Sequence, residues 1–150
     1  DGNENNYTDQ FPLLKEYGVK ATIFVITDRF GWDRYLSPDE IVEMSQSGLV
    51  DIQSHTASHP HLPTLDYGQQ EEELGRSRLA IARLTRKAPD VLCYPYGERN
   101  DDTLELARSY FSFGIDINGG VWTTAGDWYT VPRSYIARSD TLEEFASALS

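Results

Sequence analysis

Apolar residues follow two alternating patterns along the chain. Short runs rich in β-branched and aromatic residues at 20–26, 50–53 and 91–94 predict buried strands. The segments between these runs have helical spacing, and the longest, at about 67–86, has as expected core positions Leu74, Leu79, Ile81 and Leu84. Because strands alternate with helices, we expect an α/β fold with a mainly parallel sheet, either open or closed as a barrel.

Polar residues mark the starts of the predicted helices. Ser37, Pro38 and Glu40 form a capping box with proline at the first helical position. Further start signals are Thr8 or Asp9, Asn100 or Asp101, and a second capping box from Asp140 to Glu143. The sequence contains no repeat or low-complexity tract, so we interpret residues 1–150 as one domain.

The chain is strongly acidic. Its 150 residues include 24 acidic and 13 basic side chains, which gives a formal net charge of −11 at pH 7. This charge makes nucleic acid an unexpected partner, and no apolar run is long enough to predict insertion into a membrane. A neutral or cationic ligand, such as a sugar polymer, is compatible with such a surface. The single cysteine, Cys93, excludes an internal disulfide.

Two histidines, His55 and His59, follow the predicted strand at 50–53. A separation of four residues brings both side chains to the same side of a helical turn, close enough to hold one metal ion. Pro60 disfavours helix at His59, so we expect a single turn at the strand's end. The imidazoles are expected to be oriented by the hydroxyl groups of Ser54, Thr56 and Ser58. The alternative is a pair of surface histidines in a polar loop.

The carboxyl ends of parallel strands are where ligands usually bind in α/β folds. The histidine turn, the turn at 94–97 and the loop bearing Asp127 and Trp128 are all expected at such ends. We therefore predict substrate contacts for Tyr94, Pro95, Tyr96, Asp127 and Trp128. Packing at strand ends or in the core is the alternative for the aromatic residues.

Together these motifs resemble the NodB-homology polysaccharide deacetylases (carbohydrate esterase family 4), nearest to the branch that acts on poly-N-acetylglucosamine. Asp1-Gly2 matches the end of the family's first motif, and residues 6–25 are similar throughout. His55-Thr56-Ala57-Ser58-His59, with Pro60 and Leu62, matches the second motif, and Tyr94-Pro95-Tyr96-Gly97 matches the third.

The resemblance implies a fold, an activity and a site. The fold would be a distorted or incomplete (β/α) barrel, and the activity would be hydrolysis of N-acetyl groups from an N-acetylglucosamine-containing polysaccharide outside the cell or in its envelope. The metal ligands would be Asp1, His55 and His59. Zinc is the expected ion, with cobalt, nickel and iron as alternatives. The backbone N–H of Tyr96 would stabilise the oxyanion formed during hydrolysis.

The chain also departs from the family pattern. The family's general base precedes the residue matched by Asp1, so it is not in this chain, and we expect a fragment that lacks its N-terminal strand. Cys93 stands where the wider family often has an arginine that orients the base. The late catalytic histidine has no counterpart, because no histidine follows His61. The general acid is therefore unassigned.

Four other features are expected to be structural. We interpret His61 as a loop histidine outside the metal site and Cys93 as a small buried hydrophobe. Arg133 is expected to form an ion pair, and the acidic run at 71–73 is expected to be a solvated helix face.

Two other functions compete with deacetylation. One is a catalytically inactive module that binds a glycan or a metal on the same scaffold, and the absent base and acid favour it. The other is hydrolysis of glycosidic bonds by paired carboxylates, for which Asp116 and Asp127 are the candidates. The sequence leaves open which polymer is bound and the oligomeric state.

Overall fold

Strands and helices alternate along most of the computed structural model, which describes residues 1–117, 119–134, 136–137 and 139–148. The strands are β1 (Ala21–Val25), β2 (Val50–Ser54), β3 (Val91–Cys93) and β4 (Phe113–Ile115). The helices are α1 (Phe11–Tyr17), α2 (Pro38–Gln46), α3 (Tyr67–Thr85), α4 (Asp101–Tyr110) and α5 (Leu142–Ala148). A π-helical segment, Asn6–Gln10, precedes α1, and short 3-10 turns cover Thr27–Arg29, Leu62–Thr64 and Pro95–Gly97.

The four strands form one parallel sheet in the order β1-β2-β3-β4. Ser54 pairs with Leu92, so the ends of β2 and β3 leave the sheet at nearly the same level. The predicted α/β fold with parallel strands is confirmed, and within the described residues the sheet is open. Because all of these pairings are parallel, the carboxyl ends of the four strands lie at the same edge of the sheet.

Two clusters of apolar side chains hold the helices against the sheet. The first joins α1, α2, β1 and β2, and the second joins α4 and β3. The long helix α3 belongs to both, because Ile81 packs in the first cluster and Leu74 in the second, and both are completely buried. Leu79 was a wrong core prediction, since 49% of it is exposed on the opposite face of α3.

The predicted starts of α2 and α4 are confirmed. In both helices a polar side chain before the helix accepts a hydrogen bond from the backbone N–H of the third helical residue. Ser37 and Glu40 form the predicted capping box of α2. Asn100 caps α4 by accepting a hydrogen bond from the backbone N–H of Thr103 at 2.9 Å. The caps of two other helices were wrong, for different reasons. Thr8 and Asp9 lie inside the π-helical segment, and α5 is capped one residue later than predicted, by Thr141 and Glu144.

Gly114, in the middle of β4, provides a test of the sheet's packing. A Cβ atom added there would contact the Tyr94 hydroxyl and lie 2.7 Å from the backbone carbonyl oxygen of Tyr129. We expect Gly114→Ala to lower the free energy of unfolding by about 2 to 3 kcal/mol, because the backbone carbonyl cannot move away freely. Urea denaturation measures the change.

Gly68→Ala is the control for this substitution. The added Cβ would have the Asp66 carboxylate at 3.5 Å as its nearest neighbour, and alanine favours the helix. An unfolding free energy that falls equally in both variants would contradict the packing argument.

Candidate metal centre and active site

His55 is fixed at the junction of β1, β2 and β3. Its backbone N–H donates to the Val25 carbonyl oxygen at 3.0 Å, which extends the pairing of β1 with β2. Its ring Nδ1 lies 2.7 Å from the Cys93 carbonyl oxygen, and the residue is buried. Because a carbonyl oxygen only accepts, Nδ1 carries the proton and Nε2 presents its lone pair.

Asp1 and His59 lie on the open side of this ring. The Asp1 Oδ1 atom is 3.3 Å from His55 Nε2. The His55 and His59 rings meet edge to face, with centroids 4.7 Å apart. One ligand atom from each of the three residues can be chosen so that all lie within 4.8 Å of one another. The three residues named by sequence therefore converge.

The segment between the histidines is not a helical turn, so that part of the prediction was wrong. Thr56 and His59 both have left-handed backbones, with φ of 66° and 67°. The backbone N–H of His59 donates to Thr56 Oγ1 at 3.0 Å, and Pro60 prevents His59 from continuing a helix. The His55 and His59 rings therefore meet because of the left-handed turns at Thr56 and His59, not because of helical spacing.

The donor chemistry fits a divalent cation. Two imidazole nitrogens and one carboxylate are a ligand set typical of catalytic zinc, which leaves coordination positions open. Burial, followed by repulsion from His55 and from Arg29, lowers the pKa of His59 to about 4. His59 is therefore neutral at pH 7, which a metal ligand requires.

Glu73 on α3 binds the segment from His55 to His59, called the histidine loop below. Its carboxylate accepts hydrogen bonds from the backbone N–H groups of Ala57 at 3.0 Å and Ser58 at 2.8 Å, and from the Ser58 hydroxyl at 2.7 Å. The expectation of a solvated helix face was wrong for Glu73. The buried α3 positions Gln70, Leu74 and Ser77 place Glu73 at the margin of the packed face, which is the signal that the sequence offered.

The hydroxyl groups near the histidines serve the backbone rather than the imidazoles. Ser54 Oγ lies 2.7 Å from Ser77 Oγ and accepts from the Thr56 N–H at 3.2 Å. Thr56 and Ser58 bind the backbone of His59 and the carboxylate of Glu73, respectively. The predicted hydrogen bonds from these hydroxyls to the imidazoles are not formed. In the part of the chain that the structure describes, the backbone carbonyl of Cys93 takes that role for His55.

Within the turn that follows β3, the tyrosines have opposite environments. Tyr94 is completely buried, and its hydroxyl donates to the Tyr129 carbonyl oxygen at 2.9 Å. This burial favours the packing alternative for Tyr94 over the predicted substrate contact. Pro95 is likewise buried, which argues against a substrate contact there. Tyr96 is 49% exposed, and its ring lies edge-on to the His59 ring at 4.7 Å.

A buried ion pair supports this turn. Asp116, directly after β4, is 2% exposed and pairs with Arg99, whose Nη1 also donates to the Gly97 carbonyl oxygen at 3.0 Å. Gly97 has a φ of 69°, and an added Cβ would lie 2.6 Å from Ile117 Cγ1. Asp116 is thus engaged in a structural ion pair, which argues against it as a catalytic carboxylate for glycosidic bonds.

Asp127 and Trp128 lie away from the donor set. Trp128 packs on Phe113, the first residue of β4, with ring centroids 5.3 Å apart, and against Trp122 at 4.2 Å. Asp127 pairs with Arg108 at 3.0 Å. Both residues are beside the amino end of β4, whereas His55 follows the carboxyl end of β2. Their predicted role in substrate binding is not supported, and packing is favoured for Trp128.

Arg133 was missed as a site residue. It lines a cavity of about 370 Å³ together with Asp1, His55 and Cys93. The expected ion pair of Arg133 stays a prediction, since its place in the cavity does not test that pairing. Cys93 is 2% exposed, as a small buried hydrophobe should be.

Within the described residues, no helix has the length and apolar character needed to cross a membrane.

Glu73→Ala tests whether the hydrogen bonds of Glu73 position the histidine loop. Removal of the carboxylate leaves the backbone of the histidine loop without its anchor, so we expect metal affinity to fall by roughly 10- to 100-fold. Calorimetric titration with zinc measures this change. The matched control is Glu72→Ala, because the neighbouring Glu72 side chain is 66% exposed. Equal metal affinities in the two variants would contradict this positioning role of Glu73.

The lowered pKa of His59 predicts a pH dependence of the metal-free protein. The unfolded chain gains a proton at His59 near pH 6.5, but the folded chain gains it only near pH 4. Protonation between these values favours the unfolded state, so this contribution makes the free energy of unfolding fall as the pH falls through the window. His59→Gln removes the contribution. Denaturation of both proteins in chelator, at neutral pH and within the window, should show the variant gaining relative stability as the pH falls. A pH-independent difference would refute this assignment.

Comparisons with known proteins agree with the fold and the motifs. The polysaccharide deacetylase family matches residues 1–111. A poly-β-1,6-N-acetyl-D-glucosamine N-deacetylase of Staphylococcus epidermidis is 28% identical over 154 residues, which cover 91% of this chain and 52% of the relative. The chain spans about half the length of the curated relatives it matches.

Comparison with solved structures also relates the fold of this chain to that of polysaccharide deacetylases. A polysaccharide deacetylase from Bacillus cereus superposes on all of this chain and on 49% of its own, with a TM-score of 0.93 and 30% identity. The Streptococcus pyogenes deacetylase PplD, solved in complex with acetate, superposes on all of this chain and on 67% of its own, with a TM-score of 0.93 and 28% identity. The family model matches most of the chain, and the histidine loop lies next to the tyrosine turn at residues 94–97. The chain therefore belongs to the polysaccharide deacetylase family.

Proposed function

We propose that the whole protein hydrolyses N-acetyl groups of a polysaccharide that contains N-acetylglucosamine and releases acetate. The observation that carries this proposal is the convergence of Asp1, His55 and His59 within 4.8 Å. The named activity of the Staphylococcus epidermidis relative and the acetate bound to PplD support the substrate class and the product.

Asp1, His55 and His59 would hold one divalent cation. Zinc is the ion we propose, because two imidazoles and a carboxylate suit it, and cobalt, nickel and iron are alternatives. A cation held by these residues would supply Lewis-acid polarisation of the acetamide carbonyl and a lowered pKa for water. His55 contributes a fixed tautomer, and His59 contributes a neutral ring at pH 7.

Tyr96 would stabilise the developing oxyanion through its backbone N–H. Its left-handed backbone, with φ of 58° and ψ of 5°, turns the chain beside the His59 ring. Strained backbones of this kind occur at functional sites when the surroundings hold them in place. The ion pair of Arg99 with Asp116 does so here. The general base and the general acid stay unassigned among the described residues.

The net charge of the chain favours an uncharged polymer or its amine-bearing product over an anionic one. The formal net charge of −11 would repel phosphate-rich partners and attract the ammonium groups that deacetylation creates. We propose that the protein acts outside the cell or in the cell envelope, where such polymers are found.

His55→Ala tests the proposed metal site. The variant loses the proposed metal ligand that the Cys93 carbonyl holds in place. Loss of a residue that only orients a ligand lowers metal affinity roughly 10- to 100-fold, so we expect the zinc affinity of His55→Ala to fall further than that. Its circular dichroism should be unchanged, because the apolar clusters are intact. Acetate release from N-acetylglucosamine oligomers with added zinc should be lost in parallel.

The control and the contrary outcomes are clear. His61→Ala should keep the zinc affinity, because His61 Nδ1 binds Glu98 rather than the donor set. Unchanged zinc affinity in His55→Ala would refute the metal site. Zinc binding without acetate release by the whole protein would favour the alternative function, a binding module without catalytic activity.

A further inference from the structure

A stacked pair of rings stands beside the donor set. The His61 ring lies parallel to the Tyr96 ring, with centroids 4.1 Å apart and an interplanar angle of 7°. Tyr96 in turn meets His59 edge-on at 4.7 Å. The three rings form a continuous path from a proposed metal ligand to the surface of the protein.

Glu98 fixes the outer ring. Its Oε2 atom lies 2.8 Å from His61 Nδ1, and the side chains of His61 and Glu98 are 54% and 44% exposed. A carboxylate that binds one ring nitrogen sets the rotation of the imidazole about its bonds, and the stacking on Tyr96 sets its plane. An exposed ring held at two points is preorganised to bind a flat partner.

The position of this surface indicates what it binds. It adjoins the donor set but contributes no ligand atom to it, so it would contact a part of the substrate other than the reacting acetyl group. Sugar-binding sites present a flat aromatic face to the C–H surface of a pyranose ring and a few polar groups to its hydroxyls. His61 supplies the face, and the exposed Glu98 carboxylate supplies an acceptor.

We propose that His61, held by Glu98 and Tyr96, stacks on the sugar ring next to the one that is deacetylated. This inference rests on the proposed function and adds a substrate-positioning residue to it. His61 acts through its ring face and not as a metal ligand.

The test measures binding rather than turnover. The zinc-loaded protein is titrated calorimetrically with an N-acetylglucosamine trimer, and the same titration is made with His61→Ala, His61→Phe and Glu98→Gln. We expect His61→Ala to weaken trimer binding by about five- to tenfold, in line with the contribution of one aromatic stacking contact. His61→Phe should restore most of it, because phenylalanine keeps the flat face but can neither bind metal nor transfer a proton.

Controls separate this effect from damage to the metal site. Zinc affinity should be equal in all four proteins, and Tyr17→Ala, which removes a ring that is 70% exposed at the end of α1, should bind the trimer normally. Glu98→Gln should weaken trimer binding less than His61→Ala, because the stacking on Tyr96 remains.

The outcomes distinguish the two proposals. Equal trimer affinities in His61→Ala and the unaltered protein would overturn the stacking role and leave the proposed function standing. Failure of His61→Phe to restore binding would also overturn it. If the unaltered zinc-loaded protein neither binds the trimer nor releases acetate from it, both proposals fail for this chain.

Discussion

The hydrogen bond from His55 Nδ1 to the Cys93 carbonyl oxygen links the two halves of the site. It connects the exit of β2 to the last residue of β3 at 2.7 Å inside the protein, where a carbonyl without a partner would be costly. The same bond determines which imidazole nitrogen is free to bind a metal. Parallel strands make it possible, because Ser54 pairs with Leu92 and the following residues, His55 and Cys93, lie side by side.

The loops around this bond adopt conformations that are unfavourable by themselves. Thr56, His59 and Tyr96 all have left-handed backbones without being glycine, and each such residue costs on the order of 1 to 3 kcal/mol. Two charged side chains offset this cost, Glu73 from α3 and Arg99 from the segment just before α4. Glu73 binds the N–H groups that the first loop leaves exposed, and Arg99 binds a carbonyl in the second. Helix α3 therefore positions the site as well as covering the sheet, while Arg99 acts from the segment before α4.

The sequence predicted what depends on local pattern. Periodicity predicted the strands, and capping signals predicted the capping box at Ser37 and a helix cap at Asn100 or Asp101. A family motif predicted the convergence of His55 with His59. It could not predict contacts between distant segments. Glu73 belongs to an acidic run that is typical of solvated helices. Its place beside Leu74 puts it at the margin of the packed face, but the sequence does not reveal that two N–H groups will face it. Tyr94 and Tyr96 are equivalent in the sequence, and only the left-handed turn sends one into the core and the other outward.

Register is the constraint that ties fold to chemistry. Side chains alternate across a strand, so a slip of one residue between β2 and β3 would carry His55 to the other face of the sheet and away from the Cys93 carbonyl. Gln53 opposes such a slip from within the sheet, since its Oε1 atom accepts hydrogen bonds from the N–H groups of Asp90 and Val91 at 2.8 Å each. A polar residue in the middle of a buried strand is costly unless it is paired. Here its pairing holds β3 at the one alignment in which the histidine loop and the tyrosine turn meet.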